Sequence, residues 1–231
     1  MLYRYRMPRS TLTREQIVRT AIDLLDDEGL DGLNMRSLGT RLGAAATAVY
    51  WHVQSKDDLV VLAGDRVWQE IDLPDGTADD WRSAVESTAS GLHAMFSRHP
   101  WLVQAFGTHL FHGPGKARYD DHVLGIYETA GFTPDQADRA AGAVLTFVLG
   151  NVLATAAETS LTRQLDRDGD AATRFEETMT EAREVAAQFP RLRSRLETTA
   201  ATEYAAGPDQ AFEFGLRALV HGLAAELAPT R

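Results

Sequence analysis

Cysteine is absent from the 231 residues, and the patterns that mark common enzyme sites are absent as well. Without thiols the chain has no disulfide scaffold, thiol nucleophile, iron–sulfur cluster or thiolate zinc site. We find no G-x-S-x-G, H-E-x-x-H, G-x-G-x-x-G or Walker A pattern, which are signatures of hydrolases, zinc proteases and nucleotide-binding proteins. We therefore expect no enzymatic activity, no cofactor and no resident metal.

Long hydrophobic runs are lacking, apart from one weak case. Between Arg139 and Glu158 the chain has no charge for 18 residues, but this stretch is rich in alanine and glycine and contains Asn151. Such a composition favours a buried or interfacial helix over a membrane span. No apolar segment follows the basic N-terminus, as a signal peptide would require. We expect a cytoplasmic protein with no membrane partner.

The charge is acidic overall but unevenly distributed. Lysine and arginine number 23 and aspartate and glutamate 33, which gives a net charge of −10. This excludes a uniformly basic coat for nucleic acid. Residues 1–20 nevertheless contain five arginines and one acid. A basic leader joined to an acidic remainder suggests two tasks on one chain.

Helical spacing dominates the chain, and no window keeps the period-2 alternation of strands. We therefore predict an all-α fold. Thr13 and Gln16 form a capping box, and Gly29 ends the first helix. Asn34 caps a second helix, 35–42, and Gly43 breaks it. Further helices are predicted at about 45–53, 56–71, 78–98, 100–111, 116–130, 134–161, 172–188 and 208–228, with an exposed loop at 166–170.

The second and third short helices, separated by Gly43, have the spacing of a helix-turn-helix. Val49 and Val53 are predicted to pack inward, and Trp51 is predicted to join the core. Small side chains on the opposite face allow close approach to base edges, and hydroxyl, imidazole and ammonium groups suit phosphates. The candidate DNA-binding residues are Arg36, Ala46, Thr47, Ala48, Tyr50, His52 and Lys56.

Residues 12–60 resemble the DNA-binding domain of TetR-family repressors. The most specific part is the run Tyr50-Trp51-His52-Val53, with Lys56 shortly after it. The stretches 141–153 and 212–227 are similar to the two dimerisation helices of the tetracycline-repressor branch. The resemblance implies a helix-turn-helix domain at 1–57, with 1–11 as a basic leader, and a helical regulatory and dimerisation domain at 58–231. It also implies a ligand-responsive repressor that binds palindromic operator DNA as a homodimer and is released by a small molecule.

The sequence departs from that branch at its drug site. Ala154 stands where the branch has a metal-holding glutamate, and Ile71, Thr88 and Leu92 replace its drug-binding residues. Ala46 and Thr47 replace its base-reading residues, so its operator sequence does not carry over. We therefore expect an apolar or aromatic effector that binds without obligatory Mg²⁺.

Two further sets of residues follow from these expectations. Aromatic residues at helical spacing are more often plain core than the wall of a cavity. The predicted cavity walls, which are mostly apolar, are Trp68, Thr88, Leu92, Phe96, Trp101, Phe106, His109 and Leu145. The predicted dimer contacts are apolar residues of the two similar helices: Val144, Val148, Leu216, Leu219 and Leu223.

Two alternative functions remain open at the level of sequence. The first is an α-helical metal-dependent hydrolase that uses His109, His112 and His122 with Asp120 or Asp121. The second is a helical scaffold protein with a vestigial helix-turn-helix. Stoichiometric metal in the purified protein would indicate the hydrolase. Absence of DNA binding that weakens steeply with salt would indicate the scaffold protein.

Overall fold

The computed structural model describes residues 12–74, 80–167, 171–196 and 208–227, and these residues form helices and no strands, as predicted. The predicted leader, 1–11, lies outside the described residues. The helices are α1 (Arg14–Gly32), α2 (Met35–Leu42), α3 (Ala46–Val49), α4 (Lys56–Trp68), α5 (Trp81–Arg98), α6 (Pro100–Ala105), α7 (Pro114–Thr129), α8 (Pro134–Arg167), α9 (Ala171–Ala187), α10 (Pro190–Leu196) and α11 (Pro208–Glu226).

The predicted signals at the start of the chain are confirmed. The backbone amide of Gln16 donates to Thr13 Oγ1 at 3.2 Å, and Gln16 Oε1 accepts from the Thr13 amide at 3.0 Å. Gly29 has φ of 72°, which interrupts the helix as predicted, and one further turn continues to Gly32. Asn34 caps α2, and Gly43 ends it in the left-handed region with φ of 61°. Local capping chemistry thus determines these boundaries.

The third helix is shorter than predicted, and this changes the position of one aromatic residue. The α-helix ends at Val49, and residues 50–52 form a turn. Val49 and Val53 are buried as predicted. Trp51 is 87% exposed, so its assignment to the core is wrong. Trp51 lies in the middle of the turn, between the inward-facing Val49 and Val53, and its side chain points into solvent.

Other differences lie at helix ends. Helix α6 stops at Ala105 rather than 111, and α8 extends to Arg167, into the predicted loop. The rest of that loop, 168–170, is not among the described residues. Helix α10 was not predicted. Prolines at 100, 114, 134, 190 and 208 each begin a helix, because proline fits the first helical turn.

The core is continuous from the N-terminal helices to the C-terminal ones. Helix α4 packs against α1 on one side and α7 on another, so it belongs to both halves of the chain. Helix α8 packs against α5, α6, α7 and α11. No helix in the described ranges is long and apolar enough to cross a membrane.

Candidate functional site

The first candidate surface is the outer face of α2, α3 and the turn that follows. Gly39 lets the two helices approach closely, because a Cβ there would lie 2.8 Å from the Ala44 carbonyl oxygen. Arg36 and Thr47 are exposed, and Tyr50 is 54% exposed. The face therefore presents a guanidinium, hydroxyls and, beside them, the exposed Trp51 ring.

The other predicted residues of this surface are less accessible. Ala46, Ala48 and His52 are half-buried. Lys56 is also half-buried, and its Nζ donates to the Leu30 carbonyl oxygen at 2.6 Å. This bond fastens the start of α4 to the end of α1. An ammonium carries three donors, so the same group retains capacity for a second partner.

A partly buried polar cluster joins α1 to the α5–α6 junction. Asp26 Oδ1 lies 2.7 Å from His99 Nδ1 and accepts from Trp101 Nε1 at 2.8 Å. His99 Nε2 lies 3.2 Å from Glu70 Oε2, which also pairs with Arg98 at 3.2 Å. Burial lowers the pKa of His99, but the hydrogen bonds and charges of Asp26 and Glu70 outweigh it, and the net pKa is raised. His99 therefore bridges α1 and the segment after α4, and this site favours its protonated form.

The second candidate site is a cavity of about 270 Å³ between α5, α7 and α8. Its walls include Val85, Val123 and two tyrosines, Tyr119 and Tyr127. Burial raises the pKa of both tyrosines, so they remain neutral donors. The Tyr127 hydroxyl is buried and has no hydrogen-bond partner within the described part of the chain. An unsatisfied buried hydroxyl is costly, and a ligand oxygen would relieve that cost.

The predicted ligand residues divide between this cavity and the core. Thr88 and Leu145 line the cavity, although the Thr88 hydroxyl already donates to the Ala84 carbonyl oxygen at 2.9 Å. Leu92 and Trp101 are fully buried. His109 is half-buried, with its Nδ1 at 2.9 Å from the Thr108 hydroxyl.

The other predicted aromatic walls pack against one another. The Trp68 ring centroid lies 6.1 Å from that of Phe96, 6.5 Å from that of Phe106 and 4.9 Å from that of Tyr119. The Trp68 indole N–H has no partner among the described residues. Helical spacing could not separate wall from core. The tyrosines of α7 were not predicted as wall residues. Their spacing was available as a signal, because Tyr119, Val123 and Tyr127 lie four residues apart in the predicted 116–130 helix.

The histidines proposed for a hydrolase do not form a metal site. No group of three or more histidine, aspartate or glutamate side chains in the described ranges could hold a metal ion. His112 is exposed, and His109 Nε2 lies 3.5 Å from Asp57. Burial, with the nearby charge of Arg118, lowers the pKa of His122.

The predicted dimer contacts differ in exposure. Val144, Val148 and Leu216 are buried inside the protomer, which leaves them almost no surface for a partner. Leu219 and Leu223 are half-buried. On the same helices, Leu153 is 58% and Phe214 70% exposed.

Two family models match the chain. The model described as "Bacterial regulatory proteins, tetR family" matches residues 17–63, which include α2, α3 and the turn. The model described as "Tetracyclin repressor-like, C-terminal domain" matches residues 73–227, which include the cavity.

Individual proteins show the same similarity. An HTH-type transcriptional regulator of Saccharopolyspora erythraea is 36% identical over 62% of this chain and 61% of its own length. The class C tetracycline repressor of Escherichia coli is 32% identical over 92% of this chain and 90% of its own length. The crystal structure of ActR from Streptomyces coelicolor in complex with actinorhodin matches with a TM-score of 0.74 and 25% identity, covering 96% of this chain and 99% of that one.

Proposed function

The chain belongs to the TetR family of bacterial transcriptional regulators, which are not enzymes, and from this we propose a ligand-responsive repressor that binds a palindromic operator as a homodimer. In this proposal, residues 1–57 form the DNA-binding unit and residues 58–231 the regulatory and dimerisation unit. A small, largely apolar molecule releases the repressor from DNA in the bacterial cytoplasm.

The exposed face of α2, α3 and the following turn carries this proposal. Although the chain is acidic overall, these elements leave Arg36, Thr47, Tyr50 and Trp51 accessible. Arg36 reads a guanine edge, and Thr47 contacts a thymine methyl or a base edge. Tyr50 and His52 bind phosphates, and Lys56 uses a remaining N–H for the same purpose. Ala46 and Ala48 keep the helix close to the bases.

Selection of duplexes from a random pool tests the DNA-binding face. We expect the unaltered protein to enrich a palindrome and Arg36→Ala to weaken binding to it by about 1–3 kcal/mol while relaxing one base position. Arg82→Ala, an exposed arginine of α5, is the matched control and should bind like the unaltered protein. Equal binding by Arg36→Ala and Arg82→Ala would place the DNA-reading surface elsewhere.

The cavity between α5, α7 and α8 supports the effector part of the proposal. Its walls are mostly apolar, with Asp120 and Asp138 among them, and suit an aromatic ring system. We infer that the Tyr127 hydroxyl, which is buried and has no partner among the described residues, turns toward a bound ligand and donates to it. The related ActR structure contains actinorhodin, which is a ligand of that protein. With alanine at 154, a side chain without ligating atoms, binding through Mg²⁺ is not expected.

Calorimetry with actinorhodin and with tetracycline, each with and without EDTA, tests the effector. We expect any binding to be unchanged by EDTA and to weaken in Tyr127→Phe, which removes only the hydroxyl. Tetracycline binding that EDTA abolishes would contradict the metal-independent site.

The dimer is proposed on the outer faces of α8 and α11, with Leu153, Phe214, Leu219 and Leu223 at its centre. Val144, Val148 and Leu216 support that face from inside the protomer. A symmetric contact of this kind should bury more than about 1,000 Å². It would place two α3 helices about 34–36 Å apart, one turn of DNA.

A further inference from the structure

Helix α7 borders both the cavity and helix α4. Its Tyr119, Val123 and Tyr127 line the cavity. The helix also lies against α4, which follows the DNA-reading turn, and Tyr119 contacts it directly, with its ring centroid 4.9 Å from that of Trp68. A ligand that displaces α7 therefore acts on α4 only if the two helices are firmly joined.

The first join is at the start of α7. Its N-cap position is Gly113, which supplies no side-chain cap. The cap comes instead from α4, where Asp65 Oδ1 accepts from the Lys116 amide at 3.0 Å. A Cβ at Gly115 would meet the Asp65 carbonyl oxygen, so glycine is needed for this approach. A carboxylate at a helix N-terminus is also favoured by the helix dipole.

The second join runs in the opposite direction. Arg118 Nη2, one turn into α7, donates to the Ile71 carbonyl oxygen at 2.9 Å, just beyond the end of α4. The Lys116 ammonium lies 5.3 Å from the Trp68 ring centroid and pairs with Asp120 at 2.6 Å. Each helix thus satisfies backbone groups at an end of the other.

The opposite end of α4 is fastened to the DNA-binding unit. Lys56 Nζ donates to the Leu30 carbonyl oxygen, and Leu59, Val60 and Ala63 are fully buried. Helix α4 is therefore joined at this end to α1 and to the turn that precedes it.

We propose that Asp65 and Arg118 are positioning residues that form a clamp between α7 and α4 and transmit occupancy of the cavity to the DNA-reading face. The inference rests on the proposed function, because it assumes that the cavity and the DNA face are coupled. The coupling is the change in the free energy of DNA binding between the protein with an empty cavity and the protein with a filled one. Removal of the clamp should abolish this change while the protein still binds DNA and still binds a ligand.

A double-mutant cycle tests the clamp without a known effector. Ala141→Phe fills the cavity from α8 and presses on α7 as a ligand would, and Leu145→Phe is a second filling variant from the same helix. Asp65→Ala with Arg118→Met removes the clamp. The readout is the affinity for the duplex that the unaltered protein selects from a random pool. We expect filling to lower affinity about tenfold with the clamp and less than about twofold without it.

Two controls separate transmission from stability. Asp80→Ala removes a cap of similar chemistry that serves only α5, through the Arg82 amide at 3.1 Å, and should leave the tenfold effect intact. Asp65→Asn retains an acceptor for the Lys116 amide and should restore the effect. Thermal unfolding of each variant confirms that it is folded.

The outcomes distinguish the clamp from the proposed function. Equal loss of affinity with and without the clamp overturns the clamp alone. No effect of either filling variant in the unaltered background overturns the link between the cavity and DNA binding, and the clamp with it. Failure to select any duplex overturns the proposed function itself.

Discussion

Asp26→Ala removes the acceptor that joins α1 to the α5–α6 junction. In the intact protein, Asp26 accepts from Trp101 Nε1 at 2.8 Å and lies 2.7 Å from His99 Nδ1. Trp101 is fully buried, so the variant leaves its indole N–H without that partner. His99 also loses its nearer carboxylate and retains Glu70, which Arg98 partly neutralises.

The loss of stability expected for Asp26→Ala has one part that depends on pH and one part that does not. A buried indole N–H deprived of its acceptor costs about 1–3 kcal/mol, and a hydrogen bond to a charged group contributes about 1.5–3 kcal/mol. Asp26 and Glu70 raise the pKa of His99 in the folded state above its ordinary value near 6.5. Its contribution to stability is therefore fully present below about pH 6.5 and is lost as pH rises through the folded-state pKa. We expect a loss of about 3 kcal/mol at pH 5.5, which falls toward about 1.5 kcal/mol, the indole effect alone, as pH rises through the folded-state pKa of His99.

Urea unfolding of both proteins at pH 5.5, 7 and 9 measures this difference. Asp27→Ala is the matched control, because Asp27 is the neighbouring acid and pairs with Arg41 at the surface. Such a pair contributes about 0–1 kcal/mol. A loss in Asp26→Ala that does not fall with pH, or that equals the control, would refute the role assigned to this cluster.

Three other changes have clear expectations. Phe214→Glu places a charge on the proposed dimer face, so we expect a monomer in sedimentation velocity. A stable dimer in this variant would show that the interface lies on another surface. Gly115→Ala should lower the free energy of unfolding by about 1–3 kcal/mol, because its Cβ meets Asp65. Gly142→Ala, on α8, has no atom within 4 Å of its Cβ and should raise the free energy of unfolding by about 0.5–1 kcal/mol. Equal effects of the two variants in urea unfolding would contradict the close contact between α4 and α7. Trp51→Ala should weaken binding to the selected duplex at least fivefold, measured by fluorescence anisotropy, and should leave the melting temperature unchanged. A lowered melting temperature would indicate that the Trp51 ring packs in the core.

The elements that could be predicted from the sequence are those set by local chemistry. The capping box at Thr13, the cap at Asn34 and the positive φ at Gly43 each depend on a few neighbouring residues. The all-α fold and the family follow from helical spacing and from the run around Tyr50. Burial of Val49 and Val53 follows from the same spacing.

The elements that could not be predicted depend on tertiary contacts. Trp51 was assigned to the core because helical spacing was extended through a turn. Trp68 and Phe96 were assigned to a cavity, but their rings fill the space beside it. Asp65, 51 positions from the amide it caps, has no sequence signal for that role.

The dependence of DNA affinity on salt tests the central claim most directly. The duplex selected by the unaltered protein should bind as one dimer across two half-sites about 10 base pairs apart, and log K should fall steeply and linearly with log salt concentration. Failure to select any duplex, or an affinity that salt does not change, would contradict a DNA-binding repressor.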